Sequence, residues 1–196
     1  MMSHLLDLMQ PLHFVVDGVF SPDECRELIE RIEGAKPTLA PITTARGPKF
    51  ETDVRNNTRV MFDDQGLADV MFQRILRHCP PRMRGMEICG ANERLRCYKY
   101  EPGQYFAPHY DGAFARSENE RSMLTYLVYL NDDFEGGETD LISLGEVVQP
   151  KAGRALLFQH AILHEGRAVR RGVKYAARSD VMYRRGMSSP TPATEA

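Results

Sequence analysis

From residue 92 onward the chain breaks into short β-rich segments closed by turn residues, and this pattern limits the fold more than any other feature. The segments run from Arg94 to Tyr100, Tyr105 to Asp111, Met123 to Leu130, Thr139 to Ser143, Arg154 to Phe158 and Lys174 to Tyr183. Turn residues separate them: Pro102-Gly103, Asn131-Asp132-Asp133, Gly136-Gly137, Pro150 and Gly153. Glycine supplies positive φ, proline presets φ, and Asn or Asp hydrogen-bonds the local backbone, so each cluster ends a strand. Many short strands with regular turns predict an antiparallel jelly roll, a double-stranded β-helix.

The residues before this pattern are mixed. His13 to Phe20 reads as a short strand with a turn at Asp17-Gly18. Ser21 is a good helix N-cap, Pro22 suits the first helical position, and Glu24 completes a capping box. Leu28, Ile29 and Ile32 form an apolar stripe that ends at Gly34, and residues 35 to 58 read as polar loop. A second helix is expected over Leu67 to His78, stopped by Pro80-Pro81. The expected organisation is a mostly β fold with α elements in a single domain, 1–187. Its helical N-terminal region spans about 1–90 and its jelly-roll core about 91–187, followed by a disordered Ser/Thr/Pro/Ala tail, 188–196.

Composition narrows the function classes. Apolar residues make up 42% and charged residues 27%, which fits a folded core. The net charge of −2 argues against non-specific nucleic-acid binding. No apolar run approaches the ~20 residues of a membrane helix, and the N-terminus lacks the basic region and cleavage site of a signal peptide. Cys25, Cys79, Cys89 and Cys97 form no C-x-x-C pair. They read as reduced thiols of a cytoplasmic protein, with a Cys79–Cys89 disulfide as the alternative.

The segment His109-Tyr110-Asp111 is the first chemical signal. On a strand, residues i and i+2 share a face, so His109 and Asp111 would converge on one metal ion. A second imidazole would complete the two-histidine, one-carboxylate facial triad of non-haem Fe(II) oxygenases, leaving the opposite face open. His160 and His164, in FQHAILHEGRAV, are both candidates. Lys174 and Arg178 share a strand face and could neutralise a buried carboxylate. The alternate set on that strand, Val173, Tyr175, Ala177, Val181 and Tyr183, is the more apolar one, which would put the two cations outside.

Four pieces of the chain together resemble the prolyl 4-hydroxylase-like branch of the Fe(II)/2-oxoglutarate oxygenases. They are YEPGQYFAPHYDG (Tyr100 to Gly112), RSMLTYLVYLNDDFEGGET (Arg121 to Thr139), PKAGRALLF (Pro150 to Phe158) and HEGRAVRRGVK (His164 to Lys174). Their order and spacing agree with the family over roughly the C-terminal half. The resemblance implies a double-stranded β-helix with His109, Asp111 and His164 as iron ligands. It favours His164 because the family's basic 2-oxoglutarate residue follows the distal histidine by ten positions, here at Lys174. It also implies Tyr129 as a donor to the far carboxylate of 2-oxoglutarate, Tyr100 near the keto acid, and Arg178 as a secondary contact. Phe106 departs from the pattern, since related enzymes often carry tyrosine three residues before the first histidine; Tyr105 lies one residue earlier.

The resemblance implies Fe(II), 2-oxoglutarate and O2, with ascorbate as a further candidate. The expected reaction is hydroxylation of a peptidyl residue, proline included, with release of succinate and CO2. The alternatives are a hydroxylase of a free amino acid or small metabolite, and a metal-binding jelly roll acting as an isomerase or binding module. The polar segments Thr44 to Arg59 and Gly112 to Arg121 are expected to flank the site entrance. Oligomeric state is not legible.

Overall fold

The computed structural model describes residues 6–44 and 46–186, so the tail expected at 188–196 lies outside the described residues. Strand β1 (His13–Val16) leads into helix α1 (Pro22–Gly34). The capping box forms as the residues dictate: Ser21 Oγ accepts the Glu24 amide and the Glu24 carboxylate accepts the Ser21 amide. Strand β2 (Thr58–Asp63) precedes helix α2 (Gln65–Ile75). This second helix begins two residues before the expected Leu67, because Asp64 caps it by accepting the Leu67 amide. Its last expected residues, Leu76–His78, tighten into a 3-10 turn.

Besides several short strands, the two sheets contain β3 (Met86–Ala91), β4 (Arg94–Tyr100), β5 (Phe106–His109), β6 (Glu120–Tyr129), β7 (Thr139–Leu141), β8 (Glu146–Val148), β9 (Ala155–Gln159), β10 (His164–Gly166) and β11 (Lys174–Arg185). All the pairings are antiparallel. The major sheet runs β1-β9-β6-β11-β4-β2 and ends on Thr38–Leu39, with β3 also paired to β11. The minor sheet runs β8-β7-β10-β5. Two facing antiparallel sheets of this order form the jelly roll.

Three local expectations are corrected. Residues 35 to 58 are not all loop: Thr38–Leu39 extends the major sheet and Ile42–Thr44 pairs with Gly47–Lys49. Strands β2 and β3 belong to the major sheet although neither shows a clean apolar alternation. Ile142 and Ser143 leave the strand expected there and form a 3-10 turn with Leu144.

Both helices cover the outer face of the major sheet. Cys25, Leu28 and Ile32 of α1 and Met71 and Ile75 of α2 pack in one cluster with Leu95, Leu124, Tyr126, Ala177 and Val181. Burying a large apolar side chain contributes about 1.5–3 kcal/mol, so this layer fixes the sheet's curvature against the helices. It also resolves the phase of β11. Its apolar set lies beneath the helices, while Lys174, Ala176, Arg178 and Asp180 face the interior of the roll. The strand is buried on both faces.

Candidate active site

His109 ends β5 and His164 begins β10, and the two residues are direct cross-strand partners. Asp111 lies beyond the end of β5, not on the strand as expected. Its amide donates to the His160 carbonyl at 3.2 Å, which fixes the turn that returns its carboxylate to the histidines. One ligand atom from each of His109, Asp111 and His164 falls within 4.8 Å of the others. The His109 and His164 Nε2 atoms stand 3.9 and 3.7 Å from the Asp111 carboxylate oxygens, farther than hydrogen bonds reach.

The surroundings orient each group. His109 Nδ1 donates to the Ala107 carbonyl at 2.8 Å and His164 Nδ1 donates to the Ile162 carbonyl at 3.0 Å. Each ring therefore keeps its proton on Nδ1 and presents a bare Nε2 to the common centre. Burial, then the neighbouring His164, lowers the His109 pKa to about 3; burial also lowers that of His164. Both imidazoles are neutral donors at ordinary pH. Burial alone would raise the Asp111 carboxyl, but the Arg178 guanidinium beside it outweighs burial and holds the group ionised. Arg178 Nη1 lies 3.0 Å from Asp111 Oδ1, and Thr125 Oγ1 donates to Oδ2 at 2.5 Å. Two neutral imidazoles and one carboxylate, each oriented by another contact, suit a divalent ion with an open coordination face.

His160 stands apart from this cluster. Its ring is buried between Ser122 Oγ at 2.8 Å and Thr125 Oγ1 at 2.9 Å. Because Thr125 spends its proton on Asp111, it accepts from His160 Nδ1–H, and His160 Nε2 accepts from Ser122. Ser122 in turn accepts the Phe114 amide at 2.8 Å. Both ring nitrogens of His160 are committed.

The same cavity continues inward past Tyr98, Leu127, Thr139, Phe158 and Ala176 to Lys174. Lys174 is 3% exposed, and its ammonium lies 5.1 and 5.4 Å from the ring centres of Tyr100 and Tyr129. Among the described residues its ammonium donates one hydrogen bond, to the Gly137 carbonyl at 2.6 Å. Burial lowers its pKa to about 8, with Glu138 opposing. Gly137 has φ +67°, and a Cβ there would come within 3.1 Å of the lysine stem, so the turn requires glycine. Tyr100 lines the cavity. Tyr129 is fully buried behind it, and its hydroxyl donates to Thr139 Oγ1 at 2.7 Å, so Thr139 is the member of this pair that lines the cavity.

Several wall residues escape sequence reasoning. Thr125 and Thr139 are ordinary strand threonines until register brings them inside. Phe106, the departure from the family pattern, stacks on His109 at 3.5 Å with 15° between planes. Arg55 covers the other face of Phe106 at 4.3 Å. Tyr105 points away and donates to the Asp53 carbonyl. The segment around Arg55 is bound to β5: the Ala107 amide donates to Val54 O, and Arg55 bridges Phe106. The segment after Asp111 folds back as Ala115–Ser117 on β6. The first expected entrance segment thus adjoins the strand that carries His109, whereas the second follows Asp111 in sequence and packs on β6.

Comparison with known proteins agrees with this geometry. The profile of the 2OG-Fe(II) oxygenase superfamily matches residues 95–179. Prolyl 4-hydroxylase 1 of Arabidopsis thaliana is 28% identical over 166 residues, covering 76% of this chain and 57% of that protein. The 2OG complex of a viral collagen prolyl hydroxylase from Paramecium Bursaria Chlorella virus-1 superposes with TM-score 0.63 at 25% identity. That match covers 88% of this chain and 96% of the other. A Pseudomonas putida prolyl-4-hydroxylase shares the fold, with TM-score 0.63 at 17% identity over 92% of this chain and 96% of the other.

Proposed function

We propose that this chain, whose residues 95–179 match the 2OG-Fe(II) oxygenase superfamily, hydroxylates a C–H bond of a peptidyl residue, proline first among candidates. The observation that carries this reading is the His109, Asp111 and His164 cluster opening on the same cavity as Lys174. In this reading His109, Asp111 and His164 hold Fe(II). Lys174, with Thr139 and Tyr129 behind it, receives the far carboxylate of 2-oxoglutarate, Tyr100 flanks the keto acid, and Arg178 orients Asp111. Iron with 2-oxoglutarate and O2 supplies the oxidation: the keto acid becomes succinate and CO2, and one oxygen atom becomes the substrate's hydroxyl group.

The protein's part is orientation and electrostatics. A dianion entering this depth needs a buried counter-charge, and the Lys174 ammonium lacks a carboxylate partner among the described residues. Phe158 and Phe106 pack against the two imidazoles and keep water from their flanks. The four free cysteines support a reducing, cytoplasmic setting. The test is a screen of proline-containing peptides with Fe(II), 2-oxoglutarate and O2. Gain of one oxygen atom on a peptide, matched by an equal yield of succinate, is the expected result. Succinate without any oxidised peptide would contradict the peptidyl reading.

A further inference from the structure

The interior face of the major sheet carries more positive charge than the iron and co-substrate reading uses. Arg59 of β2 is paired in register with Tyr98 of β4, and Arg96 is paired with Arg178 of β11. Direct cross-strand partners share a face, so Arg59 and Arg96 extend from the cavity wall formed by Tyr98 and Arg178. Arg55 joins them from the adjoining segment, its guanidinium 4.7 Å from the centre of the Tyr98 ring.

The partners of these groups are few. Asp180 takes Arg178 at 3.0 Å and Arg96 at 3.3 Å, and Asp111 takes the other side of Arg178. Among the described residues no carboxylate pairs with Arg55 or Arg59. Arg55 is 4% exposed, donates through Nε to Asn57 Oδ1 at 2.7 Å, and leaves Nη2 buried without any hydrogen-bond partner. Burial lowers the Arg59 pKa, and Arg55, Arg96 and Arg178 lower it further against Tyr98, as expected of like charges held together. Iron would add positive charge, and 2-oxoglutarate with Asp111 would about offset iron and Lys174. The arginines therefore remain in excess beside the reacting centre.

We propose that Arg55, Arg59 and Arg96 around Tyr98 form an anion subsite that takes a carboxylate of the substrate while its C–H bond lies at the metal. Guanidinium groups suit this role because their planar donors match carboxylate geometry. The inference rests on the oxygenase reading and specifies its substrate: an acidic side chain near the hydroxylated residue of a peptide, or the α-carboxylate of a free amino acid.

Binding is measured anaerobically on protein loaded with Mn(II) and 2-oxoglutarate, so no turnover is needed. The probes are end-blocked proline peptides with Asp or Glu beside proline, their Asn or Gln counterparts, and free proline against prolinamide. Wild type should prefer the acid over its amide by on the order of tenfold in one of these pairs, which identifies the source of the carboxylate. Arg59→Gln and Arg96→Gln should each shrink the preference, Arg59→Lys should keep most of it, and 2-oxoglutarate affinity should not change. Equal binding of acids and amides by wild type would overturn the subsite. So would a preference that survives both glutamine variants, or a loss of 2-oxoglutarate affinity in Arg59→Gln. Failure of the oxygenase reading would appear separately, as absence of succinate when Fe(II) replaces Mn(II).

Discussion

His164 sits directly opposite His109 across the β5–β10 pair, with ring centres 4.2 Å apart. Strand register therefore brings the two imidazoles together, and no loop has to be ordered to do it. His160, four residues earlier, has both ring nitrogens occupied by Ser122 and Thr125.

This contrast gives the first prediction. His164→Ala should weaken Mn(II) binding by well over a hundredfold. His160→Ala, which keeps the backbone carbonyl bonded to Asp111 and removes only a ring that reaches the metal site through Thr125, should stay within about tenfold, below the usual range for groups that touch a ligand directly. Calorimetric titration of the metal-free protein distinguishes the two. Equal losses would mean that His160 is a ligand.

Lys174→Ala should leave a buried carboxylate unpaired, which typically costs about 3–5 kcal/mol. The effect should be a raised apparent constant for 2-oxoglutarate with metal affinity intact, read by titrating the co-substrate against metal-loaded protein. Loss of metal binding would place Lys174 in a structural role.

The depressed pKa of Lys174, about 8 against 10.5 for an ordinary lysine, adds a pH dependence. Below about 8 the free protein already carries the ammonium, and this residue makes 2-oxoglutarate affinity independent of pH. Above that value the lysine must first take up a proton, so affinity should fall by up to about tenfold per pH unit. The Lys174→Ala protein should lose this alkaline limb. An unchanged limb in the variant would assign it to another group.

Tyr129→Phe removes the hydrogen bond to Thr139, a neutral pair worth about 1 kcal/mol. Thr139→Val should weaken 2-oxoglutarate binding at least as much, because Thr139 is the group in the cavity wall. If the two act as one unit, the double variant should be little worse than Thr139→Val alone. Additive losses would mean that the phenol reaches the carboxylate independently.

Much of this arrangement is legible in the sequence, and its gaps have physical causes. The β-rich segments and their turns define the jelly roll because turn chemistry is local. The capping box at Ser21 and Glu24 defines α1 for the same reason. The phase of β11 is misleading because alternation reports only which face is more apolar. Here the apolar face lies under α1 and α2, and the charged face is the interior. Asp111 leaves the strand because the pairing with β10 runs from Phe106 only to His109, and the turn beyond it is held instead by the His160 carbonyl. Thr125, Thr139 and Arg59 carry no local signal, since cross-strand register alone makes them part of the cavity or its rim.

The most direct test of the account is Fe(II)-dependent conversion of 2-oxoglutarate to succinate by wild type and by Asp111→Ala, measured with metal affinity on the same preparations. The account predicts succinate from wild type only when Fe(II) is added, and neither turnover nor tight metal binding in the variant. Undiminished succinate formation by Asp111→Ala would contradict the three-residue iron site.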